Sequence, residues 1–395
     1  MQREVVFLGG ARTAFGTFGG TLREQTATDL GVVAARGALE RSGVKPEDID
    51  HVIFGNVIQS CEDAAYLARH IGLRAGLPTD VPAVTVNRLC ASGFQSIVDG
   101  AMQILLGESD FVLAGGTESM SQAPHIIRGA RWGIPFRQGK LEDSLWQGLT
   151  DSYVGMPMAI TAENLAEKYN ISRQEADEYA YRSQMATKAA QEAGKFREEI
   201  VPLEIQGRKG QVIRFEVDEH PRPDTTLEKL AKLPPYFKEN GVVTAGNASG
   251  ISDGAAAVVI AAREKAEEKG LKPLGRLLAW GVTGCDPTIM GIGPVGATKI
   301  ALQKAGMTLE QIDLIEVNEA FAAQYLAVEK ALGLKREIVN VNGGAIALGH
   351  PVGTSGTRLT LTLLLELRRR NKRYGLATAC IGGGQGMALI IEALP

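Results

Sequence analysis

The chain contains itself twice, and this duplication limits its fold more than any other feature. The stretch Ala38-Leu39-Glu40-Arg41-Ser42-Gly43-Val44-Lys45-Pro46-Glu47-Asp48-Ile49-Asp50 returns as Ala301-Leu302-Gln303-Lys304-Ala305-Gly306-Met307-Thr308-Leu309-Glu310-Gln311-Ile312-Asp313. Ala, Leu, Gly, Glu, Ile and Asp recur at one offset, and Lys304 matches the charge of Arg41. Each copy reads as a helix end, a turn and a strand, the strands being Val52-Ile53-Phe54 and Leu314-Ile315-Glu316-Val317. Farther on, Thr85-Val86-Asn87 is echoed by Asn340-Val341-Asn342, and Gly115–Met120 by Gly382–Met387, with the drift in offset that loop insertions produce. Strands and helices alternate in both copies. The expected fold is therefore α/β, with two layered sheets and helices packed on them.

Between the copies lies a different region, 122–250, richer in charge, Pro and Gly. It is expected to be mostly irregular, with one helical stretch over Thr161–Tyr169 and a second from Ser172 to about Gly194. Ser172 and Glu175 form a capping box at the start of the second. A long insertion of this kind is usually functional. The expected organisation is a first half over 1–121 completed by 251–272, an inserted loop domain over 122–250, and a second half over 273–395. At 395 residues the chain has room for two or three domains of roughly 100–200 residues each.

Charge excludes some classes of function. The net charge of −3 lacks the basic footprint of a nucleic-acid binder. The cationic run Arg368-Arg369-Arg370 follows an apolar helical stretch, where it suits a helix C-terminus. The apolar run near the N-terminus is too short for a secretory signal. No segment is expected to reach the ~18 apolar residues of a membrane span. The expected setting is a bacterial cytoplasm or, second, an organelle matrix. The cysteines Cys61, Cys90, Cys285 and Cys380 are far apart, which speaks against a zinc site or a disulfide framework. No metal is expected.

Four segments carry chemistry. Val81–Asn87 reads as a strand, and Phe94, Ile97, Val98, Ala101 and Leu105 recur at helical spacing. Cys90 falls in the turn between them, where unpaired N–H groups of the helix start should lower the thiol pKa below ~8.5. Such a strand–turn–helix also exposes its side chain. The local pattern leaves nucleophile and buried structural cysteine both open. His350 lies in the glycine-rich loop Asn342–Gly356 and could act as a base toward a thiol. Cys380 follows a strand over Tyr374–Ala379 and precedes Ile381-Gly382-Gly383-Gly384-Gln385-Gly386. That loop could hold an oxyanion or cradle a phosphate, but it matches neither nucleotide-binding pattern. Asn318 alone reads as a turn or capping residue.

Together, Asn87-Arg88-Leu89-Cys90-Ala91-Ser92-Gly93, Asn318-Glu319-Ala320-Phe321, Gly349-His350-Pro351 and Cys380-Ile381-Gly382-Gly383-Gly384 resemble the thiolase family over the whole chain. Within the family the likeness is to the mitochondrial type of 3-ketoacyl-CoA thiolase, through Val217–Pro223 and Ala245–Gly250 as well. The resemblance implies a duplicated fold in five layers, α-β-α-β-α, with a loop domain that binds CoA. It implies ping-pong acyl transfer with Cys90 as nucleophile, His350 as its base and Cys380 as the acid–base at the α-carbon. Thiol pKa values near working pH suit the two cysteines to these tasks. His350 with a water held by Asn318 would stabilise the enolate, and the N–H groups of Cys90 and Gly382 the tetrahedral oxyanion. Losing one such donor typically costs about 3–4 kcal/mol of barrier.

By the same match Arg222, Ala245 and Ser249 lie along CoA, Met158 and Met290 line the acyl end, and Ala320 and Phe321 contact substrate. CoA and acyl-CoA are substrates, with no permanently bound cofactor. The resemblance also implies a homotetramer joined through 123–143, with Trp132, Ile134 and Phe136. Pro157 replaces the histidine of acetoacetyl-specific relatives, which points to the degradative, broad-chain branch. A ketoacyl synthase shares the nucleophile but lacks a cysteine like Cys380. A non-catalytic lipid carrier should have lost Cys90 or His350. A nicotinamide dehydrogenase would need a Gly-x-Gly-x-x-Gly start that Gly9-Gly10-Ala11-Arg12 does not supply.

Overall fold

The computed structural model describes residues 3–206 and 210–395. The first half runs β1 (Val5–Thr13), α1 (Ala27–Ser42), β2 (His51–Gly55), α2 (Leu67–Ala75), β3 (Ala83–Val86), α3 (Ser92–Leu106) and β4 (Phe111–Ser119). The chain then passes through short hairpins into α4 (Met158–Lys168) and α5 (Arg173–Glu192), and returns as β5 (Ser252–Ala262). The second half repeats the first: β6 (Gly275–Gly284), α6 (Gly293–Ala305), β7 (Leu314–Val317), α7 (Ala322–Leu332), α8 (Ser355–Arg369), β8 (Tyr374–Ile381) and β9 (Gln385–Ala393). A single bridge from Val339 to Ile315 stands where β3 stands in the first half.

Local chemistry explains the repeated ends. Both α1 and α6 stop at a glycine in the left-handed region, Gly43 at φ 69° and Gly306 at φ 64°. Asp50 accepts from the N–H groups of Asp110 and Phe111, and Asp313 does the same for Arg373 and Tyr374. These pairs fix one constant offset between the halves, which also relates Ser92 at the start of α3 to Ser355 at the start of α8. It sets Phe111–Ser119 against the strand from Tyr374 onward. The expected echo of Gly115–Met120 in Gly382–Met387 is therefore a false register: Gly115–Ser119 lies inside β4, whereas Gly382–Gly384 is the turn between β8 and β9.

The strands follow one path, β7-β8-β9-β6-β1-β5-β4-β2-β3. Reading outward from the centre, each half has the same order. The halves join where β1 and β6 pair antiparallel, Val6 opposite Arg276 and Phe7 opposite Gly275. The two expected sheets are thus hydrogen-bonded into one through this short seam. Side chains alternate as a pleated strand requires. Val5, Phe7, Val258 and Ile260 face α3 and α8 in a central apolar core, whereas Val6, Leu8, Ala257 and Val259 face α1 and α2. In the second half Leu389 and Ile391 share the central core, and Ala388 and Ile390 face α6 and α7. The result is the five-layered α-β-α-β-α order.

The helices of the middle layer meet at their N-termini. A Cβ on Gly93 would lie 2.6 Å from the Thr357 nitrogen, and one on Gly356 2.3 Å from the Phe94 nitrogen, so only glycine permits the approach. The stretch Leu89–Leu106 has the length and apolar composition of a membrane span, contrary to expectation, because a helix between two sheets needs an apolar surface nearly all round. The Ser172–Glu175 capping box starts α5, and α8 ends at Arg369 with Arg369 and Arg370 paired to Glu366. The inserted region is more regular than its composition suggests, since α4 and α5 pack on the second half.

Candidate active site

Cys90 lies in the tight turn between β3 and α3. The Asn87 carboxamide oxygen accepts from the Leu89 N–H at 2.9 Å, and the Ser92 hydroxyl accepts from Arg88 N–H and donates to the Leu89 carbonyl. These bonds hold Leu89 at φ 47°, a strained conformation for a branched side chain just before the thiol. The Cys90 side chain is half-buried among Ile58, Met120, Leu145 and Val352. The backbone N–H groups of Gly382 and of Cys90 itself face its sulfur and pull the thiol pKa down, but burial outweighs them and pushes it up to about 11. The expected lowered pKa is therefore overturned. Two N–H groups return less than desolvation takes from a thiolate, so this thiol needs a base to lose its proton.

His350 is brought to the same place by a loop whose Gly349 sits at φ 97°, with a site for a Cβ only 2.1 Å from the Ser252 hydroxyl. The His350 N–H donates to the Gly250 carbonyl at 3.0 Å. Its Nδ1 is 2.5 Å from the Ser355 hydroxyl, which donates its own proton to the Pro351 carbonyl. A hydroxyl whose proton is committed can only accept, so the imidazole proton is on Nδ1 and Nε2 keeps its lone pair. Burial, with the Arg358 charge, lowers the His350 pKa to about 4 and keeps the ring neutral. Nε2 lies 3.2 Å from the Asn318 amide nitrogen. The Asn318 N–H is fixed to the Thr378 carbonyl at 2.9 Å, while its buried Oδ1 has no partner among the described residues.

Cys380 occupies the end of β8, one residue inside a strand that runs farther than its sequence suggests. It is buried against Met290 and Ala320, with Met158 and Phe321 packed around them. Burial and the neighbouring Cys90 and Cys285 sulfurs push its thiol well up. Gly382–Gly384 forms the turn into β9, with Gly383 and Gly384 at φ 80° and 82°, open only to glycine at little cost. A Cβ on Gly382 would lie 3.4 Å from the Met158 sulfur, which places the turn beside the acyl-end methionine.

A cavity of about 410 Å³ opens onto His350 and is lined by Met158, Ser249 and Phe321 together with Pro157, Trp146 and Phe237. Trp146 and Phe237 stack with ring centroids 6.3 Å apart. Cys90 and Cys380 are themselves outside the lining, as are Met290 and Ala320, which pack with Cys380. Arg222 and Ala245 are exposed and are not brought into the cavity wall. The segment before Arg222 is nonetheless fixed. Asp218 grips Arg12, Glu219 accepts from Thr17 and Thr21, and His220 Nδ1 meets the Ala347 carbonyl at 2.9 Å. Sequence reasoning missed Ser355, Cys285, Trp146, Phe237 and the buried Glu118. Ser355 had a signal, a hydroxyl residue five places after His350 at a helix start. The two aromatics had none: Trp146 stands in a one-turn helix over Ser144–Gly148 and Phe237 in an irregular segment.

The arrangement offers a thiol with N–H groups aimed at its sulfur, a second thiol beside it and a neutral base, all beside an apolar cavity. It can form a thioester and move protons at an adjacent carbon. Residues 5–264 match the family model for the thiolase N-terminal domain, and residues 271–393 that for the thiolase C-terminal domain. The chain is 56% identical over 394 residues to the human mitochondrial 3-ketoacyl-CoA thiolase, covering 100% of this chain and 99% of that one. It is 49% identical over 399 residues to the acetyl-CoA acetyltransferase of Syntrophomonas wolfei, covering 100% of each. The crystal structure of the human mitochondrial 3-ketoacyl-CoA thiolase in complex with CoA superposes with a TM-score of 0.97 at 56% identity, covering 100% of this chain and 98% of that one.

Proposed function

The chain belongs to the thiolase family, and on that premise we propose that it cleaves 3-ketoacyl-CoA with CoA to acetyl-CoA and a shortened acyl-CoA, and runs the reverse Claisen condensation. The observation that carries this reading is an apolar cavity lined by His350, whose wall residues Met120, Leu145 and Val352 pack with Cys90 and whose wall residues Met158 and Phe321 pack on the Cys380 cluster. His350 Nε2 takes the Cys90 proton, and the thiolate attacks the 3-keto carbon. The Cα–Cβ bond breaks, and acetyl-CoA leaves as an enolate that the Cys380 thiol protonates. The acyl group remains on Cys90 as a thioester. CoA, losing its thiol proton to Cys380, attacks this thioester, and Cys90 leaves as a thiolate that recovers its proton from His350.

The high resting pKa of Cys90 fits this order, because the proton moves only when an electrophile is in place. N–H groups of Cys90 and Gly382 stabilise the tetrahedral oxyanion. Protonated His350, with a water held by the unpartnered Asn318 Oδ1, stabilises the enolate oxygen. Met158, Ser249 and Phe321 contact the pantetheine and acyl group, with Met290 and Ala320 closing the acyl end. Arg222 and Ala245 meet the nucleotide part outside the cavity. CoA and acyl-CoA serve as substrates, with no resident cofactor.

Pro157 in the cavity wall supports a broad-chain, degradative enzyme, and the mitochondrial and bacterial relatives support an organelle matrix or a cytoplasm. Trp132 and Phe136, 88% and 92% exposed, support a homotetramer joined through 123–143. Thiolysis of acetoacetyl-CoA and 3-ketooctanoyl-CoA by wild type and Cys90→Ala tests the proposal. Turnover of both substrates by wild type alone is expected. Turnover of acetoacetyl-CoA only would mark an acetoacetyl-restricted acetyltransferase. Activity surviving in Cys90→Ala would overturn the mechanism.

A further inference from the structure

Glu118, near the end of β4, is fully buried and takes no part in the steps above. Its Oε1 accepts from the Ile58 N–H at 3.0 Å and the Asn56 amide at 3.1 Å, and its Oε2 from the Val57 N–H at 3.1 Å and the Gly353 N–H at 2.9 Å. None of these partners is a cation. They belong to two turns, one leaving β2 and one following His350-Pro351. Val57, Ile58 and Val352 from the same turns pack in one cluster with the Cys90 side chain. The fit is close: a Cβ on Gly116 would lie 2.0 Å from the Gly353 carbonyl oxygen, and one on Gly353 2.9 Å from Glu118 Oε2.

The duplication shows that the fold does not itself require a charge there. At the constant offset between the halves, Glu118 corresponds to Ile381, which is buried in the central apolar core. We propose that Glu118 is a positioning residue for Cys90: its carboxylate ties together the two turns that pack on the thiol, one of them carrying His350, and its negative charge opposes a second anion beside it. The inference rests on reading Cys90 as the nucleophile. Burial pushes the Glu118 pKa up to about 7 against the pull of its N–H donors, and its charge adds to the burial that raises Cys90. Of the other titratable groups, Asp253, bound by Ser121, acts on Glu118, the Arg358 charge acts on neutral His350, and Cys90 acts on Cys380. Glu118 thus adds to the burial that keeps the resting nucleophile protonated, while tying the turn beside it to the turn that follows its base.

The test measures iodoacetamide alkylation of Cys90 by peptide mass spectrometry across about pH 6–11, beside thiolysis kinetics and a thermal melt. In Glu118→Gln the alkylation midpoint should fall by about one pH unit, since a like charge is gone. Its kcat should nevertheless drop at least about tenfold, because a turn is released. Glu118→Asp keeps the charge but is too short to reach both turns. It should leave the midpoint in place and lower kcat. A folded Glu118→Gln with the wild-type alkylation profile, or Glu118→Asp with wild-type kcat, would overturn the proposal. If Glu118→Gln does not fold, the Glu118→Asp result decides. Alkylation is read at Cys90 without turnover, so a failure here is separable from a failure of the thiolase reading.

Discussion

Ser355→Ala tests the assignment of the His350 proton. The Ser355 hydroxyl is buried and is the partner of His350 Nδ1 at 2.5 Å. Alanine leaves a buried Nδ1–H without an acceptor, a penalty of about 1–3 kcal/mol. Moving the proton to Nε2 gives no relief, because Nε2 already faces the Asn318 amide nitrogen at 3.2 Å. That tautomer would also remove the lone pair that takes the Cys90 proton. If the penalty falls on the reacting arrangement, kcat drops ~5–150-fold, with KM for CoA nearly unchanged because Ser355 does not line the cavity. Steady-state thiolysis separates the two constants. Ser355→Thr, which keeps the hydroxyl, should recover most of the rate. The reasoning is refuted if Ser355→Ala keeps kcat within about twofold of wild type while its melting temperature is unchanged.

Three further outcomes follow from the same structure. Folding lowers the His350 pKa from the ordinary 6.5 to about 4, so the unfolded chain binds a proton that the folded chain refuses between those values. The stability conferred by the neutral ring is complete above pH 6.5 and is lost as pH falls toward 4. Urea midpoints should therefore fall more steeply with acid in wild type than in His350→Asn. Arg12 is fully buried between Glu199 at 2.7 Å and Asp218 at 2.6 Å. Arg12→Ala strands both carboxylates and should cost about 3–5 kcal/mol in chemical denaturation. Replacing exposed Trp132 and Phe136 by serine should shift a tetramer to smaller species in analytical ultracentrifugation, with activity per subunit retained.

Much of the chemistry of the site depends on contacts between the two halves. Cys90 comes from the first half, and His350, Asn318 and Cys380 from the second. They meet because α3 and α8 cross at Gly93 and Gly356, each too close to its neighbour to bear a Cβ. The same crossing buries the site, and burial is what raises Cys90 and lowers His350. The thiol and the base are therefore both neutral at rest, which suits a pair that exchanges one proton when substrate arrives.

The sequence by itself determined the duplication, the alternation of strand and helix, the capping of α5 and the turn that presents Cys90. All of these rest on near neighbours in the chain: a period, a cap or a glycine at a helix end. Motif residues also point to Cys90, His350, Cys380 and Asn318. Tertiary structure alone decided the joining of two sheets through Val6 and Phe7, the true register between the halves, and the reversal of the expected Cys90 pKa. It also decided the roles open to Ser355 and Glu118, which are linked to the catalytic turns only across space. The physical reason is that hydrogen-bond preference and periodicity are local, whereas desolvation and charge coupling depend on everything folded around a group.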